Sequence, residues 1–258
     1  PPHGKGSFDM TLRALIFDVD GTLAETEELH REAFNEAFAA AGLGWHWDQA
    51  LYGRLLAVTG GKERMAHYQQ SAGLTDTLDA RAIAALHADK TARYAARVAA
   101  GAVSLRPGVR RLLDEANAAG LRLAIATTTS RPNVDALLAA CAPLPRFEVI
   151  ASGDEVPRKK PAPDIYEAAL ARLGLPADAC LAIEDTENGV RSAVGAGLRC
   201  LVTVSLYGGE GPFADAVAVL SDLGEPGSPS RTLAGPVPRA GYADLAYGRE
   251  LRGKSVPG

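Results

Sequence analysis

Cysteine is scarce in this chain: 3 in 258 residues, too few to staple a fold of this size, which excludes a disulfide-built scaffold. Long hydrophobic runs are missing too, since none approaches the ~20 residues that a bilayer-spanning helix needs. Pro1 to Asp9 contains no apolar stretch of the kind a secretory leader carries, and Met10 reads as a natural start. Nor is there a surplus of positive charge. The formal net charge is −4, so no basic field draws the protein onto nucleic acid or an anionic membrane. The composition that remains, 47% hydrophobic and 22% charged, is that of an ordinary globular protein and excludes disorder as the dominant state. At ~150 residues per domain, the length allows one large domain or two modest ones. The expectation is a reduced, cytoplasmic, monomeric protein that handles a small molecule, with neither nucleic acid nor membrane as partner.

Arg13 to Phe17 is a short apolar run that stops at Asp18, the pattern of a parallel strand buried on both faces. Similar runs span Leu121 to Thr127, Phe147 to Ala151, Cys180 to Ile183 and Cys200 to Val204, with Val217 to Leu220 a further edge strand. Between them, Val109 to Ala119, Val134 to Cys141 and Ile165 to Leu173 carry apolar residues at helical spacing. Strands alternating with helices predict an α/β fold, a doubly wound, Rossmann-like parallel sheet. One segment breaks the alternation. Between 26 and 101, His30 to Ala41, Asp48 to Val58, Lys62 to Ala72 and Asp79 to Ala100 all favour helix. The expected organisation is a core of 11–25 and 102–224 with an all-helical domain, 26–101, inserted after the first strand. Residues 1–10 and 225–258 are expected to be loosely ordered, since Pro and Gly make up 11 of the last 34 residues. Cys141, Cys180 and Cys200 read as buried core thiols.

Ligands of open α/β sheets bind beyond the carboxyl ends of the strands. The first strand ends in Asp18-Val19-Asp20-Gly21-Thr22. A calcium loop would place Glu at its twelfth position, which here is Leu29. Two acids at a buried strand end repel unless a cation or a shared proton compensates, so Asp18 and Asp20 read as a catalytic pair. Thr127 to Ser130 puts hydroxyls and free amides ahead of a helix, a candidate anion site. Lys160 is held between Lys159 and Pro161 near the same sheet edge. The fourth strand ends in a second acidic pair, Glu184-Asp185, and the two strand ends together offer enough carboxylate for one Mg²⁺.

Asp18-Val19-Asp20-Gly21-Thr22, Thr127, Lys160-Pro161 and Glu184-Asp185, in this order at strand ends, resemble the four motifs of the haloacid dehalogenase superfamily, and the helical insert resembles its C1 cap. Within that superfamily the chain is similar to the branch holding β-phosphoglucomutase and the CbbY-type sugar-bisphosphate phosphatases, the latter through the stretch from Asp18 to His30 and through Thr59 to Arg64. The resemblance implies Mg²⁺-dependent hydrolysis of xylulose 1,5-bisphosphate, a Rubisco inhibitor, with Asp18 as nucleophile and Asp20 as acid and base. Thr127, the Thr128 amide and Lys160 would hold the phosphoryl oxygens. Asp18, the Asp20 carbonyl, Glu184 and Asp185 would hold the metal.

The resemblance also implies that a cap turn dips into the site, bringing Gly61, Lys62 and Arg64 to the distal end of the substrate. Glu27 would touch sugar hydroxyls, His30 would sit beside Asp20, and Asn188 would add a contact. Tyr52 and Arg54 are further candidates, although Tyr52-Gly53-Arg54 departs from the adjacent Tyr-Arg of the pattern. A phosphomutase shares every core motif. Thr22 favours hydrolysis by resemblance, its hydroxyl steering Asp20 toward its base role. A generic sugar-phosphate phosphatase is the other alternative.

Overall fold

β1 (Ala14–Phe17) has no polar side chain, and all its residues are buried. A strand like this is stable only with both faces covered, and alternate residues do enter different cores. Leu15 and Phe17 join a cluster with Leu123, Ile125, Leu181 and Ile183, whereas Ala14 and Ile16 face Ala124, Ala182 and Val202. The computed structural model describes residues 11–74, 77–209 and 211–253.

After β1 come α1 (Glu27–Ala40), α2 (Gln49–Leu55), α3 (Gly61–Ser71) and α4 (Ala80–Ala99), with no strand between them among the described residues. The alternating part follows: α5 (Val109–Ala118), β2 (Arg122–Ala126), α6 (Arg131–Ala140), β3 (Val149–Ala151), α7 (Asp164–Leu173), β4 (Cys180–Glu184), α8 (Glu187–Gly195), β5 (Arg199–Thr203) and β6 (Ala218–Leu220). The last elements among the described residues are β7 (Thr232–Ala234) and α9 (Leu245–Arg252). The seven strands form one sheet in the order β3-β2-β1-β4-β5-β6-β7, and only β7 is antiparallel to its neighbour. The chain starts in the middle of the sheet and winds first to one side, then to the other. The carboxyl ends of β1 and β4 therefore meet where the winding direction reverses.

The helical segment has its own core. Asp48 caps α2 by accepting from Leu51 N at 2.7 Å, and Asp79 caps α4 by accepting from Ala82 N at 2.7 Å. Phe34, Phe38, Trp47 and Tyr52 pack with Met65 and Leu86 in a cluster separate from those of the sheet. Where the chain crosses between the two parts, Ala24 bridges Leu105 and Arg106 N donates to Leu23 O at 2.9 Å. The buried Arg106 guanidinium ties this crossing to the sheet, donating to Thr203 O at 3.0 Å, to Val204 O at 2.6 Å and to Gly21 O.

The expectation of a loose C-terminal stretch is corrected for residues 225–253; residues 1–10 and 254–258 lie outside the described residues. β7 covers β6, which is therefore not the edge strand it was expected to be. Asp244 caps α9 by accepting from Tyr247 N at 2.8 Å, and Leu245, Tyr247 and Leu251 enter the same core as Leu181. Arg111 clamps the return of the chain. Its Nη2 donates to Gly224 O at 2.9 Å and Ala243 O at 3.0 Å, and its guanidinium lies 4.3 Å from the Tyr242 ring centroid. Proline and glycine shape the turns here, while a few apolar anchors and one distant arginine provide the order, and average composition registers neither. Leu251→Ala should therefore cost ~2–5 kcal/mol in a urea melt, as for a buried core leucine; an unchanged melt would mean that α9 is not part of the core.

Candidate active site

The parallel register pairs Phe17 with Ile183, so the next residue on each strand, Asp18 and Glu184, emerges beside the other. Lys160 comes between them from the segment leading to α7. Its Nζ lies 2.6 Å from Asp18 Oδ1, 2.7 Å from Glu184 Oε1 and 3.0 Å from Ala126 O. Burial opposes the lysine charge, but the two carboxylates outweigh it and hold Lys160 above its ordinary range. Tyr166 Oη also donates to Glu184 Oε1, at 2.5 Å, whereas Glu184 Oε2 is buried without a partner. Asp185 Oδ2 accepts from Ser205 Oγ at 2.6 Å. Two glycines make room for this acidic pair. A Cβ on Gly21, at φ +80°, would fall 2.1 Å from Asp185 Oδ2, and one on Gly189 would fall 1.9 Å from Glu184 Oε2.

Asp18, Glu184 and Asp185 offer oxygens that all lie within 4.8 Å of one another, and one ammonium does not balance them. Burial, reinforced by Glu184 and Asp20 and resisted by Lys160, raises Asp18 to about 7. Burial and then the Asp18 and Glu184 charges push Asp185 well above the usual carboxylate range. An all-oxygen cluster with a surplus of negative charge and one orphaned carboxylate oxygen fits a hard divalent cation.

Asp20 occupies the opposite regime. Burial works against its charge, but His30, by charge and hydrogen bond, and the Thr26 hydroxyl outweigh it and hold Asp20 at about 2. Thr26 Oγ1 donates to Asp20 Oδ1 at 2.5 Å, and His30 Nε2 lies 2.9 Å from the same oxygen. His30 in turn stacks on Tyr94 with centroids 4.0 Å apart, and its Nδ1 lies 2.5 Å from Lys90 Nζ. The Asp20 carboxylate is thus engaged by groups of the helical segment rather than by the acidic cluster. Thr22 Oγ1 is buried without a partner, so the hydroxyl steering Asp20 belongs to Thr26 rather than to Thr22.

A cavity between the sheet end and the helices takes in most of the expected residues: Asp18, Asp20, Lys160, Glu184 and Asp185 on its floor, Thr127 and Thr128 on one wall. Glu27, His30, Gly61, Lys62 and Arg64 line it from the helical side. Asn188 lines it too and holds the α2–α3 connection, with Nδ2 3.3 Å from Ala57 O and from Thr59 Oγ1. Lys62 Nζ reaches across the mouth to Asp154 Oδ1 at 3.2 Å. Arg64 is buried, donating to Leu55 O and Val58 O at 3.3 Å and to Tyr52 Oη at 3.2 Å. Two expectations need correction. Tyr52 lies behind the cavity wall, fully buried, and touches the cavity residue Glu27, to whose Oε2 it donates at 2.6 Å. Arg54 is exposed on the last turn of α2 and lies off the cavity, because the helical turn that buries Tyr52 carries position 54 outward.

Sequence reasoning missed Lys90, His87, Asp154 and Tyr207, which also line the cavity. Lys90 was within reach of pattern reading. Leu86, Lys90 and Tyr94 repeat every four residues along the buried face of α4, so a lysine stands where an apolar residue is due. Burial drops it from its ordinary 10.5 to about 7, despite Asp20 and Glu27 nearby.

The fold and this site define a hydrolase of the phosphatase type, and the chain belongs to the haloacid dehalogenase-like hydrolases, whose family model matches residues 12–197. Among individual proteins it is similar to the CbbY protein of Rhodobacter capsulatus, at 57% identity over 217 residues, covering 83% of this chain and 95% of the relative. The plasmid-borne CbbY of Cupriavidus necator is 50% identical over 246 residues, covering 91% of this chain and 94% of the relative. The crystal structure of a CbbY variant from Rhodobacter sphaeroides in complex with xylulose 1,5-bisphosphate superposes with a TM-score of 0.79 at 50% identity, covering 84% of this chain and 97% of that one.

The buried lysine generates a test. The unfolded chain binds more protons than the folded one between about 7 and 10.5 at Lys90, so this residue costs stability at neutral pH and the cost fades as pH rises through that window. Lys90→Met should raise the melting temperature near pH 7, with the gain shrinking toward pH 10. A gain independent of pH would show that Lys90 is not held charged against its burial.

Proposed function

We propose that the chain is a sugar-bisphosphate phosphatase whose substrate is xylulose 1,5-bisphosphate, released as xylulose 5-phosphate and inorganic phosphate. The observation that carries this reading is the pairing of Asp18 with Lys160 beside an all-oxygen cluster, with Asp20 two residues away in a separate hydrogen-bonded setting. The bisphosphate complex of the Rhodobacter sphaeroides relative supports the choice of substrate. In that role the enzyme would clear a Rubisco inhibitor formed alongside the Calvin cycle. A cytoplasmic setting is in keeping with a structure in which no described helix is long and apolar enough to cross a membrane.

Asp18 would attack phosphorus in line, forming an aspartyl phosphate as the bond to the sugar oxygen breaks. Asp20 would deliver a proton to that leaving oxygen and then take one from the attacking water. It is charged in the substrate-free site, so it would take up a proton from solvent as the substrate binds, since a phosphate dianion beside Asp20 raises its proton affinity. Lys160, Thr127 and the Thr128 amide would hold the equatorial oxygens. Mg²⁺ held by Asp18, Asp185, Glu184 and the Asp20 carbonyl would supply positive charge between nucleophile and phosphoryl group.

Residues 26–101 would act as the cap, moving about 23–25 and 101–104 to exclude water. Glu27, fixed by Tyr52, would meet the sugar hydroxyls. Lys62 would take the distal phosphate, exchanging Asp154 for it; Arg64 has its Nε and Nη1 committed to the α2–α3 turn and to Tyr52.

Asp18→Asn should lower phosphate release by more than ~10³-fold while leaving the fold intact. Lys62→Ala should cost roughly tenfold in kcat/KM on the bisphosphate and little on p-nitrophenyl phosphate. Retained turnover in Asp18→Asn would refute the covalent route. Equal losses on both esters would assign Lys62 to the chemistry or the fold. Conversion of a sugar monophosphate to its isomer without free phosphate would make the protein a mutase.

A further inference from the structure

Beyond β5 the chain crosses the sheet end through Ser205, Leu206, Tyr207 and Gly208, a turn that none of the core motifs includes. One side of this turn is seated on the acidic cluster. Ser205 Oγ donates to Asp185 Oδ2 at 2.6 Å. A Cβ on Gly208 would fall 2.3 Å from the Asp185 carbonyl oxygen and 2.8 Å from Ser205 Oγ, so the backbone lies directly against that residue.

The other side grips the helical segment. The Tyr207 hydroxyl donates to Glu28 Oε1 on the first turn of α1. Its ring meets Tyr52 edge-on, with centroids 5.7 Å apart and planes at 85°, and lies 3.6 Å from where a Cβ on Gly53 would be. Glu28 stays an anionic acceptor: hydrogen bonding from Arg31, opposed by burial and aided by Tyr207, holds it at about 2. Tyr52, the residue against which the Tyr207 ring rests, is the one that fixes the Glu27 carboxylate at 2.6 Å. Asp185 lines the cavity from the end of β4 and Glu27 from the start of α1, and this turn connects the residues that touch them.

We infer that Tyr207 is a positioning residue: anchored to Asp185 through Ser205 and Gly208, it latches α1 and α2 onto the sheet and sets the Tyr52–Glu27 pair for the sugar portion of the substrate. The assignment of Glu27 to the sugar rests on the function proposed above; the latch itself rests on the contacts alone. A small aryl phosphate, which has no sugar for Glu27 to meet, is much less dependent on it. The Glu28 bond is partly open to solvent, so its loss is a modest one.

The test uses Tyr207→Phe, which keeps the ring and removes the hydroxyl, Tyr207→Ala, which removes both, and Glu28→Ala, which removes the acceptor. Tyr207→Phe should raise KM for xylulose 1,5-bisphosphate by ~3–10-fold with kcat changed less than ~2-fold, and Tyr207→Ala should raise it further. Glu28→Ala, which removes the acceptor together with the Arg31 ion pair, should raise KM at least as much as Tyr207→Phe, and the double variant should be no worse than Glu28→Ala alone. Hydrogen exchange reads the latch without any substrate. In Tyr207→Phe, amides of 27–40 and 49–55 should exchange several-fold faster while those of β1 and β4 keep their protection. Unchanged KM together with unchanged exchange would overturn the inference, as would equal losses on the bisphosphate and p-nitrophenyl phosphate. If the parent protein hydrolyses p-nitrophenyl phosphate but no sugar bisphosphate, the proposed substrate is wrong and the exchange result alone decides the latch.

Discussion

Three buried carboxylates crowd together at the centre of this molecule with one lysine that pairs with only two of them, and much of the surrounding structure serves that arrangement. Asp18 and Glu184 are adjacent because β1 and β4 are parallel neighbours in register. Lys160 lies within 2.7 Å of both, yet Asp185 next door is answered only by the Ser205 hydroxyl. Repulsion of this kind is tolerated in a dry site only where something else completes the charge balance. Gly21 and Gly189 follow from the same crowding, since any side chain at either place would strike Asp185 or Glu184. Tyr166 on α7 gives its hydroxyl to Glu184 as well.

The helical segment supplies the counterpart. Asp20 stands two residues from Asp18, yet its surroundings come from α1 and α4: Thr26 and His30 on its carboxylate, with Tyr94 and Lys90 behind His30. Asp18 is pushed toward about 7 while Asp20 is held at about 2, and the difference arises because one faces the sheet's acids and the other faces groups carried by the helices. Moving the helices away would strip Asp20 of its partners while leaving Asp18 with Lys160. The acid-base half of the site therefore depends on how the helical segment is seated, and the nucleophile half does not.

The strand ends were legible in the sequence because a buried parallel strand is a local apolar run and the functional residue is the next one along. Asp18, Thr127 and Glu184 all follow that rule. The all-helical stretch after β1 was legible for the same local reason. What escaped was long-range. Lys90 is 60 residues from His30, and Tyr207 is 179 from Glu28, so no spacing rule joins them. Arg54 was misplaced because one residue along a helix turns a side chain by about 100°, enough to leave a cavity wall. The C-terminal stretch was misread because its order comes from Arg111 and a few apolar anchors rather than from composition.

Charge imbalance at the acidic cluster is the central claim, and thermal unfolding at increasing Mg²⁺ in weakly buffered solution near pH 7 tests it most directly. The account predicts that millimolar Mg²⁺ raises the melting temperature of the substrate-free protein and releases protons as Asp18 and Asp185 lose theirs to the cation. It predicts too that Asp185→Asn melts higher than the parent without metal and gains little from it. A parent whose melting temperature ignores Mg²⁺, together with an Asp185→Asn variant that melts no higher, would contradict it.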